Sequence, residues 1–209
     1  MKLETLYRKA VAVGIARDPR GPEEVRRLLD EERARSEKLK DDEREAWDPD
    51  RLFNPFADTR LLAGDPATEV RKVAAGIDVD AGEVLLAHTL NRDRGEAIDL
   101  IISHHPVGVA LTGLPEVMRV QADLLASCGV NVSVAEQLLE KRIGEVERRV
   151  LPANHGRAVD AARLLGLPLM CVHTPADNCV GARLTALFEK ERPARLKALV
   201  GLLKGIPEY

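Results

Sequence analysis

Aromatic side chains make up only 3% of this sequence, too few to supply the stacking platforms that hold single-stranded nucleic acid. There is no basic excess either. The 31 Lys and Arg residues stand against 34 Asp and Glu, a formal charge of −3, so bulk binding to a phosphate backbone is not expected. The three cysteines, Cys128, Cys171 and Cys179, form no C-x-x-C pair. That argues against a disulfide frame or zinc knuckle and for a reducing, cytoplasmic setting. No stretch approaches the ~18 apolar residues of a membrane span, and Met1-Lys2-Leu3-Glu4 opens no apolar signal core. The glycine-rich phosphate loop, the dinucleotide fingerprint and the G-x-S-x-G elbow are all missing.

What is present is a chain of 209 residues, 45% hydrophobic and 31% charged. This is enough for one sizeable α/β domain with a helical extension. Residues 1–57 read as that helical N-terminal extension. Pro22 to Trp47 is nearly all charged residues with Leu, Val and Ala, and reads as one helix with a thin apolar stripe of Val25, Leu28, Leu29 and Leu39. Residues 58–209 read as the α/β domain, a layered fold with a largely parallel or mixed sheet flanked by helices. Val70–Val79 is expected as a strand, Ala81–Ala97 as a helix capped by Asp80, and Ile98–Ser103 as a buried strand. This strand–helix–strand unit implies a parallel pair with a right-handed crossover. Further helices are expected near 115–127, 135–149, 155–166, 179–191 and 194–204, with short strands at Val130–Val134 and Leu167–Val172.

Two segments carry the chemistry. Ser103-His104-His105-Pro106 follows a buried strand, and parallel sheets place ligands beyond their carboxyl ends. Neighbouring residues in extended backbone point to opposite sides. Two adjacent histidines would then serve two neighbouring ions, with Pro106 holding His105 extended. For the dipeptide alone, a chance pair in a surface loop is the competing reading. The second segment, His173-Thr174-Pro175-Ala176-Asp177-Asn178, also follows an apolar strand. It offers an imidazole and a carboxylate, donors that suit zinc, iron, manganese or nickel. Helix capping by Asp177 or Asn178 is the alternative there, but capping leaves His173 unexplained. Asp78 stands at another strand end, where it is either an imidazole's partner or a turn residue. His155 reads as a loop residue at a helix start, His88 as an ordinary helix residue, and Cys171 as a small core residue.

Taken together, Asp58-Thr59-Arg60, Gly76-Ile77-Asp78, Asp99-Leu100-Ile101-Ile102-Ser103-His104-His105-Pro106 and His173-Thr174-x-x-Asp177 resemble the GTP cyclohydrolase I type 2 homologue family. That family includes the yeast Ngg-interacting factor. The resemblance covers roughly residues 58–180. It implies that His104, His105 and Asp177 bind a pair of divalent metal ions. Read by its own chemistry and apart from the resemblance, His173 or Asp78 is the candidate to orient a ligand or move a proton. The resemblance also implies an α/β fold of two similar halves, a homo-oligomer in the form of a ring-shaped hexamer, and a proposed activity on GTP. Two departures stand out. A helical stretch of about residues 135–166 lengthens the usual spacing between the motifs. No segment before Tyr209 matches the late His and Glu that the family takes from its second half, so those ligands are expected from beyond this sequence or from elsewhere. The functional expectation is a metal-dependent hydrolase of a nucleotide or related small molecule. The alternative is a non-catalytic metal-binding interaction protein that uses the charged 22–47 segment.

Overall fold

The computed structural model describes residues 1–208. Its centre is a four-stranded mixed sheet in the order β1-β4-β3-β2, where β1 is Arg60–Ala63, β2 Val73–Gly76, β3 Leu100–Ser103 and β4 Leu169–Cys171. Strands β2, β3 and β4 run parallel, and β1 is antiparallel to β4. The crossover from β2 to β3 is α4 (Ala81–Arg94), opened by an Asp80–Glu83 capping box and closed by Gly95 in the left-handed conformation.

Alternation along the strands sorts the core into two layers. From β3 and β4, Ile101, Leu169 and Cys171 face one side, where Val84 and Ala87 of α4 meet Val159 and Ala162 of α9 (Arg157–Leu164). Leu100 and Met170 face the other side, against Leu3, Tyr7 and Val11 of α1 (Leu3–Ile15) and against Phe56. Leu100 and Leu169 are both wholly buried, each contributing about 1.5–3 kcal/mol of apolar burial. Helices therefore cover both faces of the sheet, and α1 lies directly on it.

Helix α1 also crosses the first turn of α10 (Thr174–Glu191). Asn178 Nδ2 donates to the Gly14 carbonyl at 3.1 Å. A Cβ built on Gly14 would stand 2.7 Å from Pro175 Cα, backbone that cannot swing aside. Gly14→Ala is therefore expected to cost about 1–3 kcal/mol through overpacking. Thermal unfolding should show a lower midpoint; an unchanged midpoint would mean that the two helices are not in this close contact.

Several expected elements take a different form. The 22–47 helix is two, α2 (Pro22–Ser36) and α3 (Asp41–Ala46). Lys40 is extended, and its N–H donates to Glu43 to begin a new helix. The 115–127 helix is preceded and broken by short turns, giving α5 (Val109–Thr112), α6 (Leu114–Val117) and α7 (Val120–Ser127). Val130–Val134 is not a strand. Gly129 at φ +90° ends α7, and the Asn131 side chain accepts from the Ser133 N–H to start the 19-residue α8 (Val132–Val150). That local cap overrides the alternating valines. Helix α10 starts five residues earlier than the expected 179, because Pro175 fits a helix's first turn. The last helix among the described residues is α11 (Leu196–Leu203). Strand β1 was not expected; it is short and formed by pairing with β4.

Candidate metal centre

The sheet register brings the motifs together. Gly76 pairs with Ser103, and Ser103 with Cys171. The three parallel strands thus end in one row, and Asp78, His104, His105 and His173 leave from that row. Arg60 opposes Cys171 at the start of antiparallel β1, which brings Asp58 and Thr59 to the same end of the sheet. Backbone bonds fix the exits: His104 N–H donates to Gly76 O at 2.9 Å and His105 N–H to Ile77 O at 2.7 Å.

The adjacent histidines do not point apart. Their ring centroids are 5.2 Å from each other, and the His173 ring stacks on His104 at 4.8 Å. The chain bends after β3, so the strict alternation of an extended strand no longer holds at His104-His105. Opposed side chains therefore give no reason for two ions. One ring nitrogen from each of His104, His105 and His173 lies within 4.8 Å of the others. Asp177, in the first turn of α10, puts its two oxygens 3.5 Å from His104 Nε2 and 3.7 Å from His173 Nε2.

In each histidine Nδ1 already has an oxygen partner. His173 Nδ1 is 2.9 Å from Asp58 Oδ2, His105 Nδ1 2.7 Å from Asp78 Oδ1, and His104 Nδ1 3.3 Å from the Val172 carbonyl. Such partners place the proton on Nδ1 and leave Nε2 with its lone pair, the arrangement of metal-bound histidines. Three imidazoles with this second partner and one nearby carboxylate fit a divalent ion of the zinc–iron–manganese–nickel group.

Asp58 holds the deepest part of the cluster. It is wholly buried and receives His173, the Thr174 hydroxyl at 2.6 Å and the Thr59 hydroxyl at 3.2 Å. Thr59 Oγ1 in turn accepts the His173 N–H at 3.1 Å. Burial works against a charged His173, but the hydrogen bond and charge of Asp58, with Asp177 adding, outweigh it and raise its pKa above the ordinary value. Cys171 is wholly buried, and burial together with the Asp58 charge pushes its thiol up. It stays a protonated donor near the Asp58 and His104 carbonyls, and not a thiolate ligand. His155 lies outside the cluster, its Nδ1 turned to the Ala153 carbonyl; His88 lies within α4, also outside the cluster. Asp58 has no role assigned by spacing or residue type alone. Its only signal was the Asp58-Thr59-Arg60 run, whose nearness to His173 depends on strand β1.

Comparison with solved structures returns a NIF3 superfamily protein from Sphaerobacter thermophilus, with a TM-score of 0.60 and 26% identity over 73% of this chain. This chain is NIF3-like. It spans 55% of the length of that relative. No family model matches it, and no curated protein does. The NIF3-like fold agrees with the resemblance read from the histidine motifs.

Proposed function

We propose that this NIF3-like chain binds divalent metal through His104, His105 and Asp177, joined by His173, and uses it to hydrolyse a nucleotide or related small molecule. The observation that carries this reading is the convergence of three imidazoles whose Nδ1 atoms are each already engaged by an oxygen. A bound divalent ion supplies Lewis acidity and lowers the pKa of water towards ~7. The chain's own residues supply the rest. Asp58 orients His173 through Nδ1, and Asp78 does the same for His105. Asp177 is half-exposed beside two Nε2 atoms, so it is placed either to bind or to accept a proton from an incoming group. The family pattern adds a pair of ions and a hexamer to this reading, and the cysteine usage adds a cytoplasmic setting. Activity of the GTP cyclohydrolase kind rests on the resemblance alone.

The test loads purified protein with zinc, manganese, iron or nickel, counts the ions by elemental analysis and assays a nucleotide panel. Metal-dependent turnover that is lost on chelation is the expected result. Stoichiometric metal with no turnover on any nucleotide would instead favour a non-catalytic metal-binding protein.

A further inference from the structure

The helical stretch that separates the two motifs returns to the metal centre at its far end. The loop 151–156, between α8 and α9, closes against the chain just after His105. Gly108 N–H donates to the His155 carbonyl at 2.8 Å, and Arg157 bridges Asp80, the N-cap of α4. Beside these anchors lies a groove of about 240 Å³, lined by His105 of the metal centre and by Asn154, His155 and Arg157. Val79, Pro106, Val107 and Ala158 give it apolar walls.

The charges of the groove are already answered. Its carboxylates are Asp78 and Asp80, and its cation is Arg157. Asp78 meets His105 Nδ1 at 2.7 Å. Asp80 meets Arg157 and the backbone N–H groups that open α4. A phosphate entering here finds no unpaired cation, and the one outward oxygen of Asp78 belongs to a side chain 85% exposed, where water screens it. Two neutral groups remain open. Asn154 is exposed, and its side-chain amide has no hydrogen-bond partner among the described residues. It presents a donor and an acceptor in one plane. His155 Nδ1 is 3.1 Å from the Ala153 carbonyl, a contact that only an N–H makes, so Nε2 is left as an acceptor. Apolar walls edged by an amide and an acceptor imidazole suit a neutral flat ring with N–H and acceptor groups along its rim. An Asn amide reads such a rim at two points.

We propose that this groove seats a planar nitrogen heterocycle, whose rim is read by the Asn154 amide and His155 Nε2. The inference rests on the nucleotide reading of the metal centre and adds which part of the substrate enters here: the base, and not a phosphate. His105 is common to the cluster and the groove, so a ring seated there lies directly beside the metal ligands. Arg157, bridged to Asp80, holds the loop to α4 and positions the two reading residues. The stretch between the motifs thereby becomes the specificity element of the site.

The full chain, with and without saturating zinc, is titrated calorimetrically with guanosine, adenosine, cytidine and uridine. Ribose 5-phosphate serves as the probe that carries phosphate but no base. At least one nucleoside should bind saturably and ribose 5-phosphate should not. Asn154→Ala, which removes two bonds, should weaken that binding about tenfold, and His155→Ala should weaken it as well. Both variants should keep the wild-type zinc stoichiometry, because neither residue belongs to the histidine cluster. Absence of saturable nucleoside binding in both metal states, or equal binding by wild type and both variants, would overturn the proposal. Nucleoside binding without turnover would count against the hydrolase reading and leave the groove standing. Metal-dependent turnover with an unchanged KM in both variants would do the reverse.

Discussion

His104→Ala should lower zinc affinity by at least ~100-fold, and His104→Ala/His105→Ala should abolish stoichiometric binding. Loss of an outer partner of a ligating histidine already costs 10–100-fold in typical sites, so loss of the ligand itself sets a larger minimum. His104 is the decisive position because its ring stacks on His173 while its Nε2 faces Asp177 at 3.5 Å. Its removal takes one donor from the middle of the group. Its side chain is 30% exposed, so the variant should keep its circular-dichroism spectrum and its unfolding cooperativity. Isothermal titration with zinc and elemental analysis after dialysis are the measurements. Unchanged stoichiometry and affinity in the double variant would remove the proposed centre altogether.

Asp58→Ala should be the most destabilising single change at the site, by about 3–5 kcal/mol, the usual cost of breaking a buried hydrogen-bonded pair from one side. In a domain of this size that corresponds to a drop of roughly 6–20 °C in the unfolding midpoint. Its carboxylate accepts from both the Thr174 hydroxyl and His173 Nδ1. Removing it leaves both donors without their carboxylate and opens a gap at a wholly buried position beside the buried Cys171 thiol. Asp58→Asn keeps the shape and one acceptor, so it should cost less stability while still weakening metal binding, because a neutral amide orients His173 less firmly. Chemical denaturation of the metal-free protein separates the two effects. If Asp58→Ala unfolds at the wild-type denaturant concentration, Asp58 is not the structural anchor of the cluster.

Different parts of the chain were legible to different degrees. The β2–α4–β3 unit was readable because it is local: an apolar run, the Asp80 cap and a second apolar run follow one another directly. The His104-His105 and His173–Asp177 segments were readable as strand-end motifs for the same reason. Strand β1 was not, since four residues, Arg60–Ala63, become a strand only through pairing with β4 more than a hundred residues later. The valines at 130, 132 and 134 suggested a strand because alternation is a two-residue pattern. The Asn131 cap settled the matter through one side-chain bond to Ser133.

By itself, then, the sequence determined the chemistry of the donors, the strand ends that carry them and the layered α/β class. These follow from residue type and short-range periodicity, which need no knowledge of distant neighbours. Only the tertiary structure decided that His104 and His105 converge, that His173 joins them and that Asp58 stands behind His173. Those facts depend on the bend after β3 and on the register aligning Gly76, Ser103 and Cys171. Register is set by packing two core layers on opposite faces of one sheet, a constraint shared by residues far apart in the chain.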